Sequence, residues 1–281
     1  MKYPLNRTNV DIAWCPGCGN FGILKLIGDV LTELELDHKQ TVIVSGIGQA
    51  AKTPYYLDTH MFCGLHGRAL PVATTLKASN PGLNVIAEGG DGDMYGEGGN
   101  HFTNTIRRNP DIVHIVHNNM VYGLTKGQAS PTSQKGFQTP VQVNGVRNEP
   151  FNPISVALAL KAGFVSRVSI GNHDHAKQVL KEAFLHKGYA LVDIFQPCVV
   201  FNKVNTYTWF KENTYELDSS HNTSNLHEAI VKALENDPIP IGIFYRSESP
   251  TFEEHLRGEE KSALYTLTHD LDKLQELFEK Y

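Results

Sequence analysis

The residues best suited to chemistry in this 281-residue chain lie between Gly89 and Asn119. Gly89-Gly90-Asp91-Gly92-Asp93 follows one short apolar run (83–87), and Asn118-Asn119 follows a second (112–116). Each run reads as a buried strand, with a crossover helix over 98–108 between them. Such a unit is a parallel βαβ unit, and ligands bind outside the carboxyl ends of its strands. Asp91 stands at one such end and Asn119 at the other. Two hard oxygen donors, beside glycines that let the backbone approach, suit Mg²⁺ carrying a diphosphate. A tight turn before a polar helix start is the plain alternative, because Gly-Asp-Gly by itself is common.

The second reactive group is Cys15-Pro16-Gly17-Cys18. Phe21, Leu24, Ile27, Val30, Leu31 and Leu34 recur at helical spacing, which predicts an amphipathic helix over 20–36. The two cysteines therefore sit at a helix N-terminus, where amide donors and the macrodipole favour thiolate. A thioredoxin-like redox pair would want a preceding strand, and none is predicted. A zinc site needs two further ligands nearby, whereas an iron–sulfur cluster draws cysteines from distant positions.

The elements that must position these groups alternate along the chain. A buried strand over 41–45 runs into Gly46-Ile47-Gly48-Gln49. A polar, Pro/Gly-punctuated loop fills 129–150 and either covers the site or contacts a partner. After it come a helix (152–163), a strand (164–170), a helix (173–187) and a strand (189–195). This order predicts an α/β fold, a doubly wound parallel sheet with helices on both faces. Residues 1–14 read as irregular. Beyond residue 201 the chain is aromatic and polar without a clear period (202–222), followed by a helix (226–234) and a short strand (239–245). A leucine-spaced packing helix is expected over 262–281. Residues 201–281 thus read as an extension of the domain formed by 1–200.

Composition narrows the class. Hydrophobic residues make up 41% and charged residues 20%, ordinary for a globular protein. The net charge, 25 − 30 = −5, argues against nucleic acid as a partner. No apolar run approaches a membrane span of about 20 residues, and the first residues lack a signal-peptide core. A cytoplasmic, reducing setting is expected, with the four cysteines as thiols or metal ligands rather than disulfides.

Gly-Asp-Gly, twenty-five residues, then Asn-Asn is similar to the thiamine-diphosphate signature. In that family the Asp, the last Asn and a carbonyl two residues later hold Mg²⁺, which implies Asp91, Asn119 and the Val121 carbonyl. Five segments in order then narrow the likeness: Cys-Pro-Gly-Cys, Ser-Gly-Ile-Gly, Leu-His-Gly-Arg-Ala-Leu-Pro-Val-Ala-Thr, Gly-Asp-Gly-Asp and Val-Tyr-Gly-Leu-Thr-Lys-Gly-Gln. Together, over roughly residues 12–205, they resemble the β subunit of 2-oxoacid:ferredoxin oxidoreductases.

The resemblance implies a thiamine-diphosphate-binding fold with thiamine diphosphate, Mg²⁺ and a [4Fe–4S] cluster. The cofactor would meet Gly46, Ile47, Gly48, His66, Gly90, Asp91, Gly92, Asp93, Asn119, Val121, Gly123, Leu124 and Thr125. His66 would present imidazole beside the diphosphate, and Lys126 would pair with a substrate carboxylate; a surface lysine and a satisfied histidine are the ordinary alternatives. Three cluster thiols match Cys15, Cys18 and Cys198. Where the family has its fourth, after Ser-Gly-Ile-Gly, this chain has Gln49, an amide and a poor ligand for iron. Cys63 is the spare thiol. Either it reaches the cluster, or the cluster has an unusual fourth ligand or is labile, or Cys63 is a small core residue.

The implied reaction is CoA-dependent oxidative decarboxylation of a 2-oxoacid to acyl-CoA and CO₂, with electrons passed through the cluster to ferredoxin. The Leu-Thr-Lys-Gly-Gln form looks like the branch handling 2-oxoglutarate and broader 2-oxoacids. No segment supplies the pyrimidine-side domain and its catalytic glutamate, so an α subunit is expected to bring both. Two rivals stand beside this reading. One is a subunit of a non-oxidative thiamine-dependent decarboxylase, and the other an iron–sulfur or zinc protein on an incidental nucleotide-like fold.

Overall fold

The fold is taken from a computed structural model that describes residues 10–258, 262–268 and 270–280. The irregular start expected over 1–14 falls mostly outside them. Among the described residues the strands form one sheet, and four of them do the positioning: β1 (Thr41–Ser45), β2 (His60–Cys63), β3 (Asn84–Gly90) and β4 (Val113–Asn118). Then follow β5 (Phe164–Ser169), β6 (Ala190–Phe195), β7 (Thr214–Glu216) and β8 (Ile239–Arg246). Their order is β2-β1-β3-β4-β6-β5-β8-β7.

Pairing is parallel from β2 through β5. Only β8 runs against its neighbour β5, with a bulge between Val165 and Ser166. Central strands are buried end to end, as a parallel sheet covered on both faces requires. Alternation along each strand divides the core in two. Ile43, Ile86, Ile115 and Val192 share one core with α1 (Gly19–Glu33) and α5 (His173–Leu185), and α5 packs directly on β5 and β6. Val42, Val44, Val85, Ala87 and Leu191 face the other way, onto α2 (Ala69–Ser79), α3 (Gly99–Arg108), α4 (Pro153–Ala159) and α7 (Leu226–Ala233). The sheet is doubly wound, as expected.

Two stretches differ from their sequence patterns. Within 202–222 the chain forms α6 (Tyr207–Asn213), started by the Thr206 side chain accepting from Trp209 N–H, and then β7. Phe210 anchors α6 by stacking on Phe195, a tertiary contact with no local period. The helix expected over 262–281 is also shorter. After α8 (Phe252–Arg257), Asp270 caps α9 (Leu271–Phe278), and Leu271, Leu274 and Leu277 stay exposed instead of packing on this chain. The capping carboxylate restarts the helix there, so the leucines upstream belong to a short turn at Leu264–Thr266.

Candidate functional site

Four segments leave the carboxyl ends of β1, β3, β4 and β6 and meet on one side of the sheet, where ligands of parallel sheets bind. They shape two adjoining cavities.

The first is a cleft lined by Ile47, Gly48, His66, Gly90, Asp91, Gly92, Asp93, Asn119, Val121, Gly123, Leu124 and Thr125. Of the residues proposed from sequence for the cofactor or the substrate carboxylate, all but two are among them. Gly46 does not line the cleft; its Cα abuts the Asp93 carboxylate, and a Cβ there would come within 2.0 Å of Asp93 Oδ2. Lys126 also lies off the cleft wall, exposed, with a left-handed φ of 72° that turns the loop before Gly127.

Asp91 begins a π-helical turn (Gly92–Glu97) that leads directly into α3, and it is 2% exposed. Thr132 donates to its Oδ2 at 2.6 Å, and Ser130 and the Asn119 amide also face its carboxylate. Burial nevertheless pushes the carboxyl up to about 6. Asn119 follows β4, and its Oδ1 accepts Val121 N–H at 3.1 Å across Met120, whose φ is 57°. Asp91, Asn119 and Val121 are thus brought together, and a buried carboxylate beside a side-chain amide is a donor set that fits a hard divalent cation.

Asp93 has a different part. Its Oδ1 accepts Gly67 N–H at 2.8 Å and Ile47 N–H at 3.3 Å, while Oδ2 is buried without a partner. One carboxylate therefore ties the loop after β1 to the loop before α2, and it too is pushed up to about 6 by burial. His66, exposed on the cleft wall, sits one residue before this tie. The Thr125 hydroxyl donates to Gln128 Oε1 at 2.5 Å.

Several residues of the cleft carry no sequence signal that assigns them a role. Tyr122 lies flat on Gly92, where a Cβ would meet its ring at 2.2 Å, and its hydroxyl reaches Glu97 Oε1 at 3.2 Å. Burial, with the Glu97 charge beside it, raises the Tyr122 phenol above its ordinary range. Thr132 comes from the long loop 129–150, whose first turn folds down onto Asp91 and whose Ser133 donates to Met120 O at 2.6 Å. His117 is fully buried, with Nε2 2.6 Å from Glu88 Oε1 and Nδ1 2.9 Å from Asn20 Oδ1.

The second cavity is lined by Trp14, Cys15, Cys18, Cys198 and Val199–Phe201, and it shares Gln49, Asn119 and Gly123 with the cleft. Cys18 caps α1, and its amide donates to Cys15 O at 3.0 Å through a turn that needs Gly17 at φ 80°. Gly19 packs so closely under Gln196 that a Cβ would come within 2.3 Å of its Oε1, which lets Cys198 approach Cys18. Burial, and then the neighbouring Cys198 and Cys15, raise the Cys18 thiol. Among the described residues no group of three or more His, Cys, Asp or Glu side chains is arranged to hold a single metal ion.

The expectation that Cys63 completes the set is not met by its placement. Cys63 ends β2 at the sheet edge, accepts from Ser45 Oγ at 3.4 Å, and is absent from the cavity lining. Parallel pairing with β1 fixes it opposite Ser45, and the chain turns toward the second cavity only at Gln49.

Comparison with known proteins gives the family. Residues 41–194 match the family described as thiamine pyrophosphate enzyme, C-terminal TPP binding domain. Residues 198–261 match the C-terminal family of the pyruvate ferredoxin oxidoreductase beta subunit. A 2-oxoacid:ferredoxin oxidoreductase subunit beta from Sulfolobus sp is 42% identical, covering 95% of this chain and 91% of that one. The 2-oxoglutarate oxidoreductase subunit KorB of Mycobacterium tuberculosis is 39% identical over 83% of this chain and 59% of its own. A solved 2-oxoglutarate:ferredoxin oxidoreductase from Magnetococcus marinus, with 2-oxoglutarate, coenzyme A and succinyl-CoA bound, superposes with a TM-score of 0.91 at 33% identity. It covers 97% of this chain and 94% of that one. With the likeness running over nearly its whole length, the chain belongs to the family of 2-oxoacid:ferredoxin oxidoreductase β subunits.

Proposed function

We propose that this chain is the β subunit of a 2-oxoglutarate:ferredoxin oxidoreductase, converting the 2-oxoacid and coenzyme A to acyl-CoA and CO₂. The observation that carries the reading is the shared wall: Gln49, Asn119 and Gly123 line both the Asp91 cleft and the three-cysteine cavity. Groups held in the two cavities would be separated by one layer of residues. A non-oxidative decarboxylase has no use for that adjacency.

In this reading Asp91, Asn119 and the Val121 carbonyl would hold Mg²⁺, which would neutralise charge on the diphosphate of thiamine diphosphate. Bound there, thiamine diphosphate supplies the electron sink for decarboxylation, while the protein orients it and excludes water. His66 and the amides of the loop 122–125 face the diphosphate. Asp93 acts indirectly, by fixing the two loops that carry Ile47, Gly48 and His66. Cys15, Cys18 and Cys198 would hold the iron–sulfur cluster, in a cavity whose apolar lining includes Val199, Val200 and Phe201. Lys126, off the wall of this chain's cleft, is assigned to the substrate carboxylate once a partner completes the site.

The α subunit brings the pyrimidine-side domain and its glutamate, and ferredoxin takes the electrons. Residues 201–281 act as an extension of the first 200, with the exposed leucines of α9 available to the partner. All four cysteines are free, in keeping with a reducing cytoplasmic setting. No helix of the described residues is long and apolar enough to cross a membrane.

The test is anaerobic purification of this chain with its partner subunit. Iron, labile sulfide and thiamine diphosphate should all be present. Reduction of ferredoxin or a viologen should require coenzyme A and should be faster with 2-oxoglutarate than with pyruvate or 2-oxoisovalerate. A complex with thiamine diphosphate and no iron would refute the reading.

A further inference from the structure

The cysteine cavity offers three thiols where a cubane cluster has four iron vertices. Its other polar side chains are Asn20, Gln49 and Asn119. Asn20 Oδ1 is taken by His117 and Asn119 Oδ1 by Val121 N–H, and three observations single out Gln49. The Trp14 indole N–H donates to Gln49 O at 2.8 Å, so the backbone is pinned beside Cys15. Gln49 lies among the residues lining the cavity together with Cys15, Cys18 and Cys198. Its Oε1 is buried and has no hydrogen-bond partner, an arrangement that leaves a polar atom uncompensated unless something else meets it. The only other cysteine of the chain, Cys63, is held away at the sheet edge by Ser45.

We propose that the cluster of this chain is held by three cysteines only, and that its fourth iron faces Gln49 as an oxygen-ligated, exchangeable vertex on the side of the thiamine cleft. The assignment rests on the cluster proposed above and adds which vertex is different and where it points. Gln49 also lines the Asp91 cleft, so the unique iron lies on the wall between the two cavities. Replacing a thiolate by a neutral amide removes one negative charge from the ligand set. That raises the reduction potential relative to a four-thiolate cluster, because net charge is one of the determinants of cluster potential. An amide oxygen is also a weaker ligand for iron than a thiolate, so this iron is the first to leave.

The experiment uses the anaerobically purified complex of the full chain with its partner subunit, with electron paramagnetic resonance and iron content as readouts. Ferricyanide takes one electron from the [4Fe–4S]²⁺ core; the unique iron leaves as Fe²⁺ and a [3Fe–4S]⁺ core remains. Wild type should show this conversion in most clusters and should regain the fourth iron on addition of Fe²⁺ and a reductant. Cys63→Ala should behave as wild type. Gln49→Cys should resist conversion and titrate at a lower midpoint potential. Gln49→Ala, which adds no thiol, should convert at least as readily as wild type. Loss of the cluster or of the conversion in Cys63→Ala overturns the assignment, as does resistance to conversion in wild type. A wild-type complex without iron and sulfide instead refutes the cluster itself, a separate outcome.

Discussion

Thr132 donates a hydrogen bond to Asp91 Oδ2 at 2.6 Å, although 41 residues separate them in the chain. The hydroxyl also lies 3.0 Å from Asn118 Oδ1, so one side chain from the long loop braces both ends of the βαβ unit. Thr132→Val keeps the shape and removes the donor. A hydrogen bond to a charged group contributes about 1.5–3 kcal/mol. Thiamine diphosphate with Mg²⁺ should therefore bind roughly tenfold or more weakly, as titration calorimetry of the cofactor-depleted complex would show.

Acidity at the cleft gives a second expectation. Burial lifts Asp91 and Asp93 to about 6, whereas an unfolded chain titrates aspartate near about 3.9. Between those values the folded state binds more protons. The stability these groups contribute is therefore full below about pH 4 and is lost as pH rises through about 6. Mg²⁺ held by Asp91, as proposed, would take its ionised form and reverse the loss. The rise in Tm on adding Mg²⁺ and thiamine diphosphate should be small near pH 5 and should reach a plateau above about pH 7. An equal rise at both would contradict the assignment of Asp91 to the metal.

Asp93 should matter for cofactor retention without touching the metal. Asp93→Ala frees the Gly67 and Ile47 amides and releases both loops. Thiamine diphosphate should be lost on gel filtration while the isolated chain keeps its helical circular dichroism. Retention at wild-type level would show that the loops are held by other contacts.

Packing at Gly92 makes a steric prediction. Gly92→Ala places a methyl 2.2 Å from the Tyr122 ring. Overpacking of this kind destabilises by about 1–3 kcal/mol. Gly92→Ala combined with Tyr122→Ala should recover part of that loss in a denaturant titration, because the second change removes the obstruction.

The buried Glu88–His117 contact makes a stability prediction. Both side chains are fully buried and 2.6 Å apart. Removing Glu88 leaves the buried imidazole without that polar neighbour, at about 1–3 kcal/mol. Glu88→Ala should shift urea unfolding by that order, and Glu88→Gln by less, since it keeps a polar partner for the imidazole.

Sequence alone determined the frame of this protein. Strand-length apolar runs alternating with helical periods specify a doubly wound sheet, because one period buries two faces and the other buries one stripe. Asp91, Asn119, Cys15 and Cys18 were legible because each sits beside the end or start of an element whose pattern is local. Tertiary structure decided the rest. Thr132, Tyr122 and Asp93 acquire their roles from contacts across the cleft that leave no trace in spacing. The leucines of α9 have helical spacing yet stay exposed among the described residues, since a period specifies a face and not its partner. The cysteine count was equally silent on which thiols converge. Parallel pairing with β1 holds Cys63 against Ser45, while the turn beyond Ser45 carries Gln49 to the three-cysteine cavity, so chain direction at one strand end chose an amide over a thiol.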